Sequence, residues 1–210
     1  MKKHNGIILN IRGCNASGKT TAVREYIKTF KDSQIINING HVFTRCSDTI
    51  FALGRYDKKN GGCDGYKGGN YVIEAISTII EKERPKLIIY EGMLYSKTFK
   101  FAYSVDLLFK ERGYRYKGVY LYRPFPDIIK LLEARNNGAN YDISHILNTH
   151  KANETSYKKL KDAGIDITKV DAGKIPLEEM KNIIKQIDRT IGGVKNGQDK
   201  EKLPQSTMDE

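Results

Sequence analysis

The chain has 210 residues with 39% hydrophobic and 29% charged residues, a soluble globular balance that suits one α/β domain with a sizeable core. No apolar run approaches membrane-spanning length, and residues 1–5 lead directly into the first predicted strand, so we expect neither a membrane span nor a signal peptide. The net charge of +11 favours a polyanionic partner such as nucleic acid, although a lysine-rich composition without such a purpose explains it equally well.

Apolar runs of strand length alternate with stretches of helical periodicity along the chain. Strands are predicted at residues 6–12, 34–38, 51–56, 86–90, 116–122 and 166–170, and helices at residues 18–30, 71–83, 99–111, 126–135, 144–162 and 176–191. This alternation predicts a mostly parallel sheet with helices on both faces. Residues 1–191 form one predicted domain, and the polar residues 192–210 are a predicted disordered tail.

The three cysteines are odd in number and show neither paired nor metal-ligand spacing. They are Cys14, Cys46 and Cys63. A disulfide framework or a structural metal site would need regular spacing. We therefore expect the chain to reside in a reducing cytoplasm.

Residues 13–20 read Gly-Cys-Asn-Ala-Ser-Gly-Lys-Thr and fill the eight-residue pattern that cradles the phosphates of a nucleoside triphosphate. The segment lies between a predicted strand and a predicted helix, which is the context that the motif requires. Lys19 is expected to reach the terminal phosphates, and the Thr20 hydroxyl to ligate Mg²⁺. The sequence therefore predicts an ATP or GTP site formed by Gly13, Cys14, Asn15, Ala16, Ser17, Gly18, Lys19, Thr20 and Thr21.

Glu91 stands at the carboxyl end of the apolar run Leu87-Ile88-Ile89-Tyr90, which lacks polar alternation and is predicted to be a central strand. Ligands bind at that end of a parallel sheet. A carboxylate there can hold the Mg²⁺ shell through water or take a proton from an attacking hydroxyl. The alternative is a strand-end acid that faces solvent.

Residues 54–69 contain six glycines between a predicted strand and a predicted helix, where small P-loop kinases carry acceptor-binding elements. Arg55 could clamp a phosphate or carboxylate, and Asp64 could accept the acceptor's proton or bond to a base edge. Tyr56 or Tyr66 could stack on a base. The alternative is a surface loop whose glycines signify only mobility.

Arg123 follows the fifth predicted strand, and Arg135 ends the next predicted helix. Residues 123–163 form a predicted lid in which such arginines stabilise the transferring phosphate. Residues 137–141 are a candidate hinge. A basic stretch follows and could contact DNA, although a solvated helix face is the commoner explanation; it comprises His145, His150, Lys151, Lys158, Lys159 and Lys161.

Residues 168–171 (Thr-Lys-Val-Asp) resemble the guanine-specifying tetrapeptide of GTPases. No convincing Asp-x-x-Gly switch precedes them, and only one helix is predicted after Asp171, so the rest of a guanine site is missing. Residues 171–174 are more simply interpreted as the loop that packs on adenine after the last strand.

Together, the phosphate loop, Glu91 and the two arginines look like a P-loop nucleotide kinase with a nucleoside-monophosphate-kinase-like fold. Residues 53–57 (Leu-Gly-Arg-Tyr-Asp), 61–65 (Gly-Gly-Cys-Asp-Gly) and 90–96 (Tyr-Glu-Gly-Met-Leu-Tyr-Ser) resemble more narrowly a group of small bacteriophage P-loop kinases. That group includes enzymes that phosphorylate 5-hydroxymethyluracil bases within DNA. The resemblance spans residues 5–171, and the phosphate loop is its one specific motif.

The resemblance implies an ATP- and Mg²⁺-dependent kinase whose partner is DNA containing a modified pyrimidine, acting in the host cytoplasm. Lys19 and Mg²⁺ would offset phosphate charge, Glu91 or Asp64 would orient or deprotonate the hydroxymethyl group, and Arg135 would close the lid. Two alternatives stay open. One is a kinase of free deoxynucleotides or another small metabolite, and the other is a GTPase-like or nucleotide-dependent binding module.

Overall fold

A seven-stranded β-sheet forms the centre of the protein in a computed structural model that describes residues 5–57, 61–64, 66, 68–136 and 141–192. Its strand order is β2-β3-β4-β5-β1-β6-β7. The pairs from β4 to β7 are parallel, and β2 and β3 add an antiparallel extension at one edge. The strands are Gly6–Arg12 (β1), Gln34–Ile38 (β2), His41–Ser47 (β3), Ile50–Leu53 (β4), Leu87–Glu91 (β5), Tyr114–Tyr122 (β6) and Ile167–Asp171 (β7).

Seven α-helices and one 3-10 turn surround the sheet in the described part of the chain. A 3-10 turn at Leu177–Glu179 precedes the last helix. The helices are Lys19–Ile27 (α1), Gly69–Glu83 (α2), Met93–Lys97 (α3), Phe99–Lys110 (α4), Phe125–Asn136 (α5), Ile143–Asp162 (α6) and Lys181–Gly192 (α7). None of these helices is long and apolar enough to cross a lipid bilayer.

The two faces of the sheet carry separate apolar cores because neighbouring side chains of a strand point in opposite directions. On β1, Ile7, Leu9 and Ile11 pack with α1 and α7. Ile8 faces the other way, into a core formed with α2, α4 and α6. Helices therefore cover both faces, which confirms the predicted mostly parallel α/β architecture.

Strand β3, which forms a hairpin with β2, was not predicted from the sequence. The turn residues Asn39 and Gly40 have φ values of 52° and 84°, and the amide of Gly40 donates to the Asn37 side chain at 2.9 Å. An Asn-Gly pair favours this left-handed turn, which matches the twist of a two-stranded hairpin. The dipeptide was the signal in the sequence that would have predicted β3.

Element ends also differ from the predictions where glycine or proline redirects the backbone. The strand predicted at 51–56 ends at Leu53 because Gly54, with φ of 89°, turns the chain. The helix predicted at 176–191 begins as a 3-10 turn in which Glu179 donates to the Pro176 carbonyl at 3.0 Å. The five-residue helix α3 was not predicted, since one turn is too short for a periodic pattern.

Two predictions concern residues outside the described part. The candidate hinge at 137–141 falls there except for Tyr141, and so does the tail at 192–210 except for Gly192. The division into one domain with a lid and a tail stays a prediction.

Candidate active site

The phosphate loop joins β1 to α1, at the carboxyl edge of the sheet. Gly13 and Gly18 have φ values of 149° and 97°, which side chains rarely adopt. A Cβ on Gly13 would also lie 2.7 Å from the Leu121 carbonyl oxygen of the neighbouring strand. The Lys19 ammonium donates to the Cys14 carbonyl at 3.0 Å, so its charge lies inside the loop. The N-terminus of α1 and the Lys19 ammonium therefore both lie at the phosphate loop, where their positive charge favours binding of an anion.

A cavity of about 610 Å³ opens over this loop. Residues 15–21 of the loop and α1 form one side of it. Asp64, Arg123 and Arg135 come from three distant parts of the sequence and line the same cavity. The structure therefore brings together the phosphate loop, one predicted acceptor residue and both predicted lid arginines.

Thr20 lines the cavity and contacts Glu91, which lies behind it. The Thr20 hydroxyl donates to Glu91 Oε1 at 2.9 Å. Glu91 is fully buried, and its Oε2 is enclosed without a hydrogen-bond partner among the described residues. A hydroxyl beside a carboxylate with an unused oxygen suits Mg²⁺, which needs few protein ligands when phosphates supply the others. The described residues contain no cluster of three or more His, Cys, Asp or Glu that would form a separate metal site.

Burial raises the pKa of Glu91 from 4.5 to about 7. Within this net rise, Lys19 lowers the pKa of Glu91, the negative charge of Asp64 raises it, and the Thr20 hydrogen bond and Arg24 lower it. A carboxylate that titrates near neutrality in a cleft is typical of a group that exchanges protons or holds a cation. Without a bound metal ion, both the neutral and the charged form of Glu91 are therefore populated near pH 7.

Residues 61–64 close over the end of β5. The Cys63 amide donates to the Glu91 carbonyl at 3.0 Å, and Asp64 Oδ1 accepts from the Met93 amide at 2.9 Å. Gly62 has a φ of 72°, and a Cβ there would collide with the Glu91 carboxylate. The glycine is therefore required both by its backbone angle and by its contact with a buried acid.

The other predicted acceptor residues lie outside the phosphate-loop cavity. The Arg55 guanidinium pairs with Asp57, with nitrogen–oxygen distances of 3.1 and 2.8 Å. Tyr56 is 7% exposed and packs in the core beside α1. The half-buried Tyr66 donates from its hydroxyl to the Val42 carbonyl at 2.8 Å and packs edge-on against Tyr71.

The region predicted to be a lid, residues 123–163, contains α5 and α6. Asp142 caps α6 by accepting from the His145 amide at 3.0 Å. The buried His150 bonds through Nε2 to the Arg123 carbonyl at 2.9 Å, so it is not part of a solvent-facing basic surface. The predicted basic lysines of α6 are exposed and are Lys151, Lys158, Lys159 and Lys161.

The segment that resembles a guanine-recognition sequence forms β7 at the edge of the sheet. The Lys169 ammonium lies 3.8 Å from the centre of the Tyr122 ring, so a cation–π contact already engages it. Asp171 accepts from the Gly173 amide at 3.1 Å. A Cβ on Gly173 would lie 3.9 Å from Arg123 Nη1, which places this loop at the edge of the phosphate-loop cavity.

Two arginines near the site were missed. Arg24 lines the cavity and follows Thr20 by four residues, so helical periodicity could have found it. Arg12 directly precedes Gly13 and is 1% exposed. Nothing in the sequence distinguishes a buried arginine at that position from an exposed one.

Two curated phage proteins resemble this chain. A 5-hmdU DNA kinase of Bacillus phage SP10 is 31% identical over 99 residues, which cover 44% of this chain and 15% of that protein. A 5-hmdU DNA kinase of Delftia phage PhiW-14 is 31% identical over 129 residues, which cover 50% of this chain and 49% of that protein. The chain thus spans less than half the length of each relative. The matches confirm the resemblance predicted from the sequence.

Among solved structures, the YorR protein of Bacillus subtilis, described as a complex with phosphorylated GDP, is similar in fold. It matches with a TM-score of 0.53 and 17% identity, covering 87% of this chain and 96% of that one. At this identity the likeness concerns the fold alone, and it agrees with the predicted mostly parallel α/β architecture. No family model matches the chain.

Proposed function

We propose that this chain is an ATP-dependent kinase that transfers the γ-phosphoryl group to the 5-hydroxymethyl group of hydroxymethyluracil in DNA. The observation that carries the proposal is the convergence of Lys19, Asp64 and Arg135 on one cavity, which is also lined by Thr20, the partner of the buried Glu91. Phosphoryl transfer needs little covalent chemistry from the protein, so positioning and charge stabilisation at such a cavity supply the catalysis. The phage relatives support the choice of acceptor.

The phosphate loop and its lysine hold the triphosphate. Backbone amides at the α1 N-terminus would donate to phosphate oxygens, and Lys19 would neutralise the charge that develops on the terminal phosphates. Thr20 and Glu91 would hold Mg²⁺, which when bound supplies further positive charge to the phosphates. The unused Oε2 of Glu91 supports this assignment.

Asp64 is assigned as the acceptor of the hydroxyl proton. It lines the cavity, whereas Glu91 lies fully buried below it, and the Met93 amide fixes its carboxylate through Oδ1. As the acceptor oxygen forms its bond to the γ-phosphorus, the bond from that phosphorus to the β,γ-bridging oxygen breaks. The hydroxyl proton passes to Asp64, and the electron pair of the broken bond leaves with the nucleoside diphosphate.

Arg123 and Arg135 supply positive charge from the lid side. Both line the cavity, and Arg123 follows β6 while Arg135 stands in the last turn of α5. Guanidinium groups bind phosphate oxygens in a fork, which suits a transition state with charge spread over three oxygens. Together with Lys19, these two arginines would surround the reacting phosphate with three positive charges.

The deciding experiment is an acceptor screen with ATP labelled at the γ-phosphate. Label should pass to DNA that contains hydroxymethyluracil and not to DNA that contains thymine. Lys19→Ala should abolish the transfer, while Lys82→Ala, at an exposed lysine of α2, should leave it unchanged. Label found only on free nucleotides or metabolites, or only as inorganic phosphate, would contradict the proposal.

A further inference from the structure

Arg24 forms part of the wall between two cavities. Its side chain lines the phosphate-loop cavity and also a second cavity of about 310 Å³. Arg24 lies on α1 one turn after Thr20, on the side of the helix that faces the site. Because this one residue lines both spaces, a ligand whose reacting group occupies the first cavity can extend past Arg24 into the second.

The guanidinium of Arg24 has unused hydrogen-bonding capacity. Its Nε donates to the Tyr56 carbonyl at 3.0 Å, which fixes the plane of the group. Its Nη2 is enclosed and has no acceptor within the described residues, and no ion pair there includes Arg24. An enclosed cationic N–H without an acceptor is costly, and an anionic oxygen at this point would remove that cost.

The second cavity has the surface that a nucleotide needs. Ile27 and Ile35 contribute apolar surface from α1 and β2, and Ser33, Gln34 and Thr44 contribute polar groups. Lys28 and Asp57 also line this cavity, and each is engaged in an ion pair, Lys28 with Glu25 and Asp57 with Arg55. Arg24 is therefore the lining cation outside an ion pair among the described residues, and the apolar walls and dispersed polar groups suit a base and sugar with a phosphate at Arg24.

Arg55 was the predicted phosphate clamp, and its side chain is already engaged. Its guanidinium holds both oxygens of Asp57 in a fork, and it lines neither of the two cavities. An incoming phosphate would have to displace a carboxylate from Arg55, whereas at Arg24 it would have to bring an enclosed N–H without an acceptor into reach. The same chemistry is therefore available at Arg24 at lower cost.

We infer that Arg24 binds a backbone phosphate of a nucleic-acid acceptor, and that the second cavity holds the nucleotide to which that phosphate belongs. This inference rests on the proposed function and makes it more specific, because it assigns a subsite for a strand rather than for an isolated base. A nucleoside or a sugar without a phosphate would leave Arg24 unused.

The test pairs a change in the protein with a change in the DNA. Two oligonucleotides carry one hydroxymethyluracil each. One has phosphodiesters throughout, and the other has neutral methylphosphonates on both sides of the modified nucleotide. For the wild type, the neutral linkages should lower kcat/KM for label transfer roughly 10-fold or more, the effect of losing a charge-assisted hydrogen bond. Arg24→Met should lower kcat/KM for the phosphodiester DNA to a similar extent and make the protein insensitive to the neutral linkages.

Two further variants distinguish a direct contact between Arg24 and the phosphate from a general effect of positive charge, and thermal unfolding distinguishes both from a loss of folding. Arg112→Met removes an exposed charge from the end of α4, away from both cavities, and should keep the full sensitivity of the wild type. Arg24→Lys keeps the charge without the fork and should show intermediate sensitivity. Thermal unfolding confirms that each variant is folded.

Equal losses on both oligonucleotides in the Arg24 variants would overturn the inference alone, since Arg24 would then act through Glu91 or the Tyr56 backbone. Undiminished sensitivity to the neutral linkages in Arg24→Met would do the same. Failure of the wild type to label either oligonucleotide would overturn the proposed function, and this inference with it. The wild-type reaction is measured first, so the two failures are distinguishable.

Discussion

The hydroxyl of Thr20 donates to Oε1 of Glu91 across 71 residues of sequence, and this 2.9 Å bond joins the phosphate loop to the end of β5. The bond engages one carboxylate oxygen and leaves the other enclosed without a partner among the described residues. It therefore gives the loop a fixed position relative to the residues that close over β5. Any change in the charge of Glu91 alters both parts of the site.

The raised pKa of Glu91 predicts how stability depends on pH in the absence of nucleotide and metal. The pKa is 4.5 for an ordinary glutamate and about 7 in the folded protein. Between these values the unfolded chain has released a proton that the folded protein retains, so the free energy of unfolding should fall as pH rises from about 4.5 to about 7 and then level off. Glu91→Gln should lack this fall. Denaturant titrations at a series of pH values measure the free energy of unfolding of both proteins. If its dependence on pH is the same in the wild type and in Glu91→Gln, the raised pKa does not belong to Glu91.

The contact between Gly62 and Glu91 predicts a specific effect of one methyl group. In Gly62→Ala the new Cβ would collide with the Glu91 carboxylate, whereas Gly164→Ala has the same φ of 72° but no atom within 4 Å. Backbone strain of roughly 1 kcal/mol is common to both variants. Only Gly62→Ala should also lower kcat, because only there must the carboxylate move. Denaturation and steady-state kinetics separate the two effects, and matched kcat losses would contradict the prediction.

The position of Asp64 predicts a difference between turnover and nucleotide binding. Asp64→Asn keeps an oxygen for the Met93 amide but is a poor proton acceptor. We expect turnover to fall roughly 100-fold or more, the usual range for loss of a general base, with little change in ATP affinity. Rapid-quench kinetics and equilibrium binding of a non-hydrolysable analogue measure the two quantities. Equal losses in both would indicate a structural role.

The fold was largely predictable because local signals and burial agree along most of the chain. The apolar runs of β1 and β5 and the phosphate-loop motif are local features, and the structure places them side by side. The hairpin of β2 and β3 was missed although Asn39-Gly40 signals it. The polar residues of β3 obscured the apolar–polar alternation that would indicate a strand. Its extended conformation depends instead on pairing with β2 and β4.

Site residues that belong to a motif or stand at the end of a strand could be predicted from the sequence. Residues whose contacts depend on tertiary structure were harder to predict. Lys19, Asp64 and Arg135 were predicted and share one cavity. Arg55 was a plausible phosphate clamp by residue type, but its pairing with Asp57 depends on the path of the chain after β4. We infer that Arg24 binds the phosphate instead. Its place at the cavity follows from its position on α1, and no sequence motif includes it.

Arg12 is a fully buried arginine, and no ion pair in the described part of the chain includes it. Its guanidinium donates to the Tyr116 hydroxyl at 3.2 Å, to the Ser156 hydroxyl at 2.8 Å and to the Ser96 carbonyl. These partners lie on β6, on α6 and in α3. A buried cation without a counter-ion is seldom favourable for stability alone. This one joins the residue before Gly13 to α6 and to α3, whose first residue, Met93, donates its amide to Asp64.

Arg12 is therefore expected to position the acceptor and lid elements relative to the phosphate loop. Arg12→Met should lower kcat roughly 10-fold or more while the affinity for a non-hydrolysable ATP analogue changes little, because the loop's own backbone binds the phosphates. Arg12→Lys should recover part of the turnover, since an ammonium can still reach one or two of the three acceptors. Arg115→Met, at an exposed arginine of β6, is the matched control and should behave as wild type. If Arg12→Met weakens analogue binding as strongly as it slows turnover, the residue supports the fold of the loop and does not position the other elements.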